Sequence, residues 1–280
     1  MSELKIRTFT GFWIVLFVLG GLWLHPLSFV LIGLIMLAGS QYEYYKLVSK
    51  NGIKPQVITG MITGILVYIV ATVVSYGSIP LSAFMVLIPV FSVIAIIELY
   101  RKQKNPFGNL AHTFFGVLYI AIPFSLLPFS AFGRIGLETL IPFSKVVFSP
   151  GIMIGFFLLH WANDTGAYLV GVNFGRNRLF KRISPKKSWE GFIAGVVISL
   201  IVAWLISEWL GVVGRFSWII IALIISVVGT FGDLIESMLK RSIEAKDSGT
   251  ILPGHGGFLD RFDSVIFSLP LVYLYIALFA

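Results

Sequence analysis

Residues 237–263 form a short polar segment between two long apolar runs. Four glycines and Pro253 occupy its middle, residues 246–258, which we name the glycine-rich segment. Its backbone can approach a ligand closely. Charged side chains stand in and around this segment: Lys240, Arg241, Glu244, Lys246, Asp247, His255, Asp260, Arg261 and Asp263. Carboxylates, cations and exposed amides together predict a site for a metal ion and phosphate.

Asp233, Glu236 and Lys240 are spaced so that they share one face of a helix at the end of an apolar run. A carboxylate within or beside a membrane span is costly and is therefore a candidate functional residue. For Glu236 and Lys240, an ordinary ion pair at the water interface remains an equal alternative. Asp233 lies deeper in the apolar run, which favours a functional role for it.

Asp260 and Asp263 open the last apolar run. Acidic residues at a helix N-terminus are also ordinary complements of the helix dipole, and this explanation remains open, above all for Asp263. Asp233 and Asp260 terminate adjacent helices on the same side of the membrane. If these helices pack together, the two carboxylates can share a hard divalent cation such as Mg²⁺. Glu236 and Asp263 are further candidate ligands, and His255 is expected either to contact phosphate or to cap the loop.

Another polar group interrupts the apolar run at residues 160–168. His160, Asn163 and Asp164 fall along one helical face, and a polar face within a membrane span must point into the protein. These side chains are expected to help form the site. Hydrogen bonding between helices is the alternative.

The loop at residues 175–191 is strongly basic. Lys186 and Lys187 directly precede a helix start, where exposed amides and the helix dipole favour anions, so we expect them to bind phosphate. A role in membrane orientation or in binding anionic lipid is the alternative. The six cations of the loop are Arg176, Arg178, Lys181, Arg182, Lys186 and Lys187.

Composition places these residues in a membrane protein. Of the 280 residues, 57% are hydrophobic and 12% are charged, whereas charged residues make up about 25% of typical soluble domains. Because the chain has no cysteine, oxygen or imidazole must hold any metal. The predicted fold class is an all-α, polytopic membrane helical bundle with about nine transmembrane helices, near residues 9–24, 27–45, 56–76, 80–99, 110–131, 146–170, 190–211, 215–235 and 262–280.

Lysine and arginine are distributed unevenly among the loops. With a cytoplasmic N-terminus, all 21 of them except Arg134, Lys145 and Arg215 fall on the cytoplasmic side, as the positive-inside rule predicts. The odd number of spans then places the C-terminus outside. Topology accounts for the net charge of +8, so we expect no nucleic acid partner.

We expect a single integral membrane domain over residues 1–280. Residues 1–135 would supply scaffold spans, and residues 146–280 would supply the catalytic spans and cytoplasmic loops. Most of the acidic residues belong to the second part: Asp164, Glu190, Asp233, Glu236, Glu244, Asp247, Asp260 and Asp263.

Residues 237–263 closely resemble the signature of the phosphatidate cytidylyltransferases, also called CDP-diacylglycerol synthases. Residues 163–168, 184–191 and 232–237 also resemble motifs of that family. The resemblance as a whole covers residues 160–265. It implies transfer of the cytidylyl group of CTP to phosphatidate, which yields CDP-diacylglycerol and pyrophosphate.

The resemblance also implies a cofactor and a setting. It associates Asp233 and Asp260 with a Mg²⁺ centre, and K⁺ is a candidate second ion. We expect a homodimer in the bacterial cytoplasmic (inner) membrane, acting in phospholipid synthesis. CTP and phosphatidate are the expected partners.

For this reaction we expect positioning and charge neutralisation to matter more than a general base. Asp233, Asp260 and Lys240 are the expected catalytic residues. The expected substrate-binding residues are Asn163, Asp164, Arg182, Ser184, Lys186, Lys187, Arg241, Lys246, Asp247, His255 and Arg261.

Two other functions fit some of these residues. A CTP-dependent lipid kinase would use similar groups but would transfer the γ-phosphoryl group to a lipid alcohol. An ion-coupled secondary transporter would also place acids within its spans. The acids here lie toward one membrane face, and the sequence shows no paired halves, which disfavours the transporter.

Overall fold

Helices dominate the structure, a computed structural model that describes residues 3–132, 147–245, 248–249 and 256–280, with side chains from residue 10 onward. The α-helices are α1 (Glu3–Leu24), α2 (Pro26–Ser49), α3 (Val57–Ser75), α4 (Leu87–Arg101), α5 (Pro106–Gly116), α6 (Ile122–Ala131), α7 (Gly151–Phe174), α8 (Trp189–Leu210), α9 (Arg215–Ile224), α10 (Thr230–Ser242) and α11 (Leu259–Phe279).

Several helices are joined into longer rods. A 3₁₀ turn at Leu81–Val86 leads into α4, and π turns at Val117–Ala121 and Ile225–Gly229 join α5 to α6 and α9 to α10. The part of the chain that the structure describes thus forms nine continuous helical rods. π turns inside helices are frequent near functional sites, and the second one directly precedes the helix that carries Asp233.

Seven of these rods are long and apolar enough to cross a membrane. A helix satisfies its backbone hydrogen bonds within itself, as a lipid environment requires. The prediction of an all-α polytopic membrane protein is confirmed in this form. The seven candidate spans are Pro26–Ser49, Val57–Ser75, Leu81–Arg101, Pro106–Ala131, Trp189–Leu210, Arg215–Ser242 and Leu259–Phe279.

The remaining two rods are less apolar or shorter. In α1, the apolar part is Thr10–Leu24, and α7 carries the polar group predicted from the sequence. The last helix starts at Leu259, three residues before the predicted boundary of its span, so Asp260 lies in its first turn. Hydrophobicity locates only the apolar part of a helix, whereas the helix itself can continue into neighbouring polar residues.

The basic loop folds into a β-hairpin that the sequence did not predict. Strand β1 (Arg178–Phe180) pairs antiparallel with β2 (Ser184–Ser188). Ser188 Oγ accepts a hydrogen bond from Gly191 N (3.2 Å) and so caps α8. Glu190 accepts hydrogen bonds from the loop backbone, including Asn177 N (3.1 Å), and anchors the base of the hairpin.

Small residues let the site-forming helices approach closely. A Cβ added at Gly195 of α8 would lie 2.8 Å from Asn163 Oδ1 of α7, and one added at Gly232 of α10 would lie 2.8 Å from Asp263 O of α11. Such contacts are typical of helices packed in membranes. They bring α8 close to α7, and α10 close to α11.

Buried tyrosines hold the N-terminal helices together. Tyr45 OH donates to Thr113 O (2.8 Å), which ties α2 to α5, and Tyr68 OH donates to Val30 O (3.1 Å), which ties α3 to α2. Buried tyrosine hydroxyls usually have such partners. The C-terminal part of α2 also reaches the end of the glycine-rich segment, where Gly39 packs against the ring of Phe258.

Candidate active site

Lys240 joins the acidic residues of two helices. Its Nζ donates to Glu236 Oε2 (2.9 Å) one turn earlier in α10 and to Asp260 Oδ1 (2.6 Å) in α11. The Lys240 side chain is 11% exposed, and its two partners are buried still further. The predicted helical pairing of Glu236 and Lys240 is therefore present, but it belongs to a buried network rather than to a solvated helix end.

Asp260 also contacts two described residues of the glycine-rich segment. Its Oδ2 accepts hydrogen bonds from Ser248 N (3.0 Å), Ser248 Oγ (2.9 Å) and Gly257 N (2.9 Å). Gly256 has a φ of +80°, and a Cβ there would lie 2.8 Å from Asp260 Oδ2. Only glycine meets both requirements at this position.

Asp233 receives the basic hairpin. Its Oδ2 lies 2.5 Å from Lys187 Nζ, and Ser237 Oγ donates to its Oδ1 (3.2 Å). Asp233 and Lys187 are both partly exposed. The fold thus brings a lysine of β2 to a carboxylate of α10.

Two cavities meet at Asp233. The first, of about 330 Å³, is lined by both Asp233 and Asp260. The second, of about 320 Å³, is lined by Asp233, Lys187 and a mostly apolar surface. Further polar residues of the first cavity are His160, Asp164, Lys240, Arg261, Asp263 and Ser264, and the second also contains Asn163, Asp164, Lys186, Ser188, Thr230 and Ser264.

The first cavity has the donor chemistry of a hard-cation site. Four carboxylates face it, and carboxylate oxygens are the ligands that Mg²⁺ prefers. Within the described ranges, no three acidic or histidine side chains form a ready-made cluster for a metal. Mg²⁺ commonly binds through one or two carboxylates together with substrate phosphates, so this donor set fits it.

Some predicted site residues lie apart from both cavities. The side chains of Arg182 and Arg241 are exposed, and Ser184 lines neither cavity. Arg241 NH1 donates instead to Ala245 O (3.3 Å). Lys246, Asp247 and His255 lie outside the described residues. Asn163, Asp164, Lys186 and Lys187, in contrast, share a single cavity.

Sequence reasoning missed several residues at the site. Ser248, Ser264 and Thr230 gave no signal, because isolated hydroxyl side chains are common throughout the chain. Glu43, in the N-terminal half, contacts the glycine-rich segment directly. Its position as a carboxylate inside an apolar span was a usable signal.

These features define an α-helical membrane protein in which carboxylates and lysines converge where α7, α8, α10 and α11 pack together. The chain belongs to the cytidylyltransferase family, whose sequence model matches residues 5–279. This confirms the family resemblance of residues 237–263.

Individual relatives match a smaller part. A phosphatidate cytidylyltransferase of Bacillus subtilis (strain 168) is 47% identical over 121 residues, which are 43% of this chain and 45% of that relative. Phosphatidate cytidylyltransferases of Staphylococcus saprophyticus and Staphylococcus aureus (strain COL) are 48% and 50% identical over 117 and 118 residues, 41% of this chain and 45% of each relative. The aligned part of the chain spans about half the length of these relatives.

Proposed function

We propose that the protein transfers the cytidylyl group of CTP to phosphatidate at the cytoplasmic face of the membrane, forming CDP-diacylglycerol and pyrophosphate in phospholipid synthesis. One observation carries the proposal: Asp233 belongs to the wall between a carboxylate-lined cavity and a mostly apolar one. Membership of the cytidylyltransferase family and the names of the similar proteins support it.

The two cavities differ in a way that suits the two substrates. The polar cavity, with Lys240 and Arg261, would take the triphosphate of CTP. The second cavity, with Tyr168, Val172 and Leu179 in its lining, would take the lipid phosphate beneath its acyl chains, which would enter between helices. Lys187 lies beside the shared wall, where phosphate groups of both substrates would meet.

The chemistry requires little proton transfer. A phosphate monoester has a second pKa of about 6, so phosphatidate is largely dianionic at neutral pH. One of its oxygens attacks the α-phosphorus of CTP. The bond from that phosphorus to the oxygen bridging to the β-phosphorus breaks, and pyrophosphate leaves with the bonding electrons. Repulsion between two anions is the main obstacle, so positioning and charge neutralisation dominate catalysis.

The lysines are suited to exchange partners when the phosphates arrive. Lys187 pairs with Asp233, and Lys240 pairs with Glu236 and Asp260. Each would then contact phosphate oxygen. Further substrate contacts are assigned to four residues that line the cavities: Asn163, Asp164, Lys186 and Arg261. Other contacts are proposed from the sequence alone, for Arg182, Ser184, Arg241, Lys246, Asp247 and His255.

Asp233 and Asp260 would hold Mg²⁺, with Asp263 of the same cavity as a further ligand. Glu236 lines neither cavity and pairs with Lys240, so it is proposed as a ligand from the sequence alone. Bound there, the cation would neutralise charge on the triphosphate and on the transition state. K⁺ is the proposed second ion. The proposal of Mg²⁺ rests on the donor chemistry of the cavity and on family resemblance, and that of K⁺ rests on family resemblance alone.

The setting of the reaction belongs to the same proposal. We assign nine spans, a cytoplasmic N-terminus, an outer C-terminus and the bacterial cytoplasmic membrane. The nine described rods and the distribution of lysine and arginine support this arrangement. A homodimer is proposed from the family resemblance.

Position-specific labelling of CTP tests the reaction. Purified protein in detergent would be incubated with phosphatidate and CTP labelled in the cytidine or in the γ-phosphate, with Mg²⁺ or with excess chelator. We expect cytidine label in lipid, no γ-label in lipid, and loss of transfer with chelator. With a lipid alcohol as acceptor, γ-label in lipid would instead identify a lipid kinase, and the absence of both labels would overturn the proposal.

A further inference from the structure

Glu43 connects the N-terminal helices to the glycine-rich segment. It lies near the end of α2 and is only 1% exposed. Its Oε2 accepts hydrogen bonds from Leu259 N (3.0 Å) and from Ser248 Oγ (3.1 Å). One carboxylate therefore contacts Ser248 inside the glycine-rich segment and Leu259 directly after it, more than 200 residues further along the chain.

Two glycines allow this contact. A Cβ added at Gly249 or at Gly257 would come closer than 3.0 Å to the Glu43 carboxylate, nearer than real Cβ atoms approach. All three of the nearest atoms to a Cβ at Gly249 belong to Glu43. The backbone thus closes around the carboxylate from two sides, and an additional methyl group has no room there.

The contact continues to Asp260. Ser248 Oγ lies 3.1 Å from Glu43 Oε2 and 2.9 Å from Asp260 Oδ2. Ser248 has one hydroxyl proton, so the two carboxylates share one donor, while Ser248 N donates to Asp260 as well (3.0 Å). Moving Ser248 would therefore move a partner of Asp260, whose other oxygen accepts from Lys240 (2.6 Å).

We propose that Glu43 is a positioning residue for the active site: it holds Ser248 and Leu259, on either side of the glycines, and so fixes Asp260. It touches neither substrate nor metal in this proposal. The inference rests on the proposed function, because Asp260 is assigned there to hold the Mg²⁺ that would neutralise the triphosphate. A merely structural role is the alternative, in which loss of Glu43 lowers stability but leaves the turnover of folded molecules unchanged.

Substitutions of Glu43 separate these roles. Displacing a reacting group by ~1 Å can cost about 100-fold in rate, so we expect Glu43→Ala to lower kcat per folded molecule at least about tenfold, with a smaller change in KM for CTP. Glu43→Gln keeps an acceptor oxygen and should restore kcat to within about threefold of wild type. Wild-type kcat in folded Glu43→Ala would overturn the proposal.

Glu98 provides a matched control. It is a second buried glutamate of the N-terminal half, and its partners are Gln56, Asn109 and Arg101 rather than the glycine-rich segment. Glu98→Ala should lower the yield of folded protein but leave kcat per folded molecule unchanged. A kcat loss equal to that of Glu43→Ala would overturn the specific role of Glu43.

A double variant tests the contact even if one single variant folds poorly. Gly249→Ala should lower kcat in wild type, because its methyl group displaces Glu43. In the Glu43→Ala background the same change should cost little more, since the side chain it meets is gone. Fully multiplicative losses would show that the two positions act independently and would overturn the proposal.

Hydrogen exchange separates failure of this inference from failure of the proposed function. The amide of Leu259 should exchange faster in Glu43→Ala and remain protected in Glu98→Ala. If the wild type transfers no cytidine, the proposed function fails. Unchanged exchange of the Leu259 amide in Glu43→Ala would refute the Glu43 contact, whether or not the wild type transfers cytidine.

Discussion

Replacing Lys240 by methionine should destabilise the protein because it leaves buried carboxylates without their cation. Its two ion pairs, at N–O distances of 2.9 and 2.6 Å, are each worth roughly 6 kcal/mol before desolvation at an effective dielectric constant of about 20. Desolvation cancels much of this attraction. Removal of one partner from a buried pair typically costs about 3–5 kcal/mol, and we expect Lys240→Met to lower the free energy of unfolding by that amount.

Denaturant unfolding in detergent, followed by tryptophan fluorescence, measures this loss. Adding Glu236→Gln should recover a large part of the stability, because Asp260 still has Ser248 and Gly257 as donors. Cytidine transfer should stay low in both variants, since the cation for the triphosphate is missing. Wild-type stability of Lys240→Met would refute the reasoning.

An exposed pair is the control for that experiment. Arg215 and Glu208 form an ion pair with side chains that are 47% and 68% exposed. Water already solvates both groups, so Glu208→Gln should change the free energy of unfolding by less than about 1 kcal/mol. A loss as large as that of Lys240→Met would show that burial is not the cause.

Three further predictions concern the site. Asp233→Asn and Asp260→Asn should each remove most cytidine transfer from protein that still inserts and folds, and near-normal transfer by a purified variant would contradict the metal assignment. Lys187→Ala should raise KM for CTP by about tenfold or more, because a charge-assisted hydrogen bond to phosphate is lost. An unchanged KM for CTP would indicate that Lys187 serves only membrane orientation. Gly256→Ala should lose both cytidine transfer and stability. Gly52 has a similar positive φ but open space around it, so Gly52→Ala should lose only about 1 kcal/mol of stability. Equal transfer rates in the two variants would contradict the contact of Gly256 with Asp260.

Much of the helical architecture could be predicted because it depends on local hydrophobicity. The rods follow the predicted order, and Glu236 and Lys240 meet as their spacing requires. The β1–β2 hairpin and the π turns escaped prediction. The base of the hairpin is held by hydrogen bonds from backbone N–H groups to the Glu190 carboxylate, a contact that hydrophobicity does not reveal. A π turn inserts one residue into a helix without changing the hydrophobic character of the helix.

The site was only partly predictable, for a different reason. The polar residues of α10 and α11 could be found because charge is conspicuous in an apolar sequence. Their actual partners could not: Asp233 meets Lys187 of the hairpin, and Asp260 meets Lys240. Which cation reaches which carboxylate depends on helix packing, and glycines such as Gly232 and Gly195 determine how close that packing becomes.

The amino-acid sequence by itself determined that this is a helical membrane protein and that its family motifs lie within residues 160–265, because hydrophobic length and clustered charge are properties of short stretches of chain. Only the tertiary structure decided that Glu43 contacts the glycine-rich segment. Its bonds to Ser248 and Leu259 join residues more than 200 positions apart, and such a contact exists only once α2 has packed beside the start of α11.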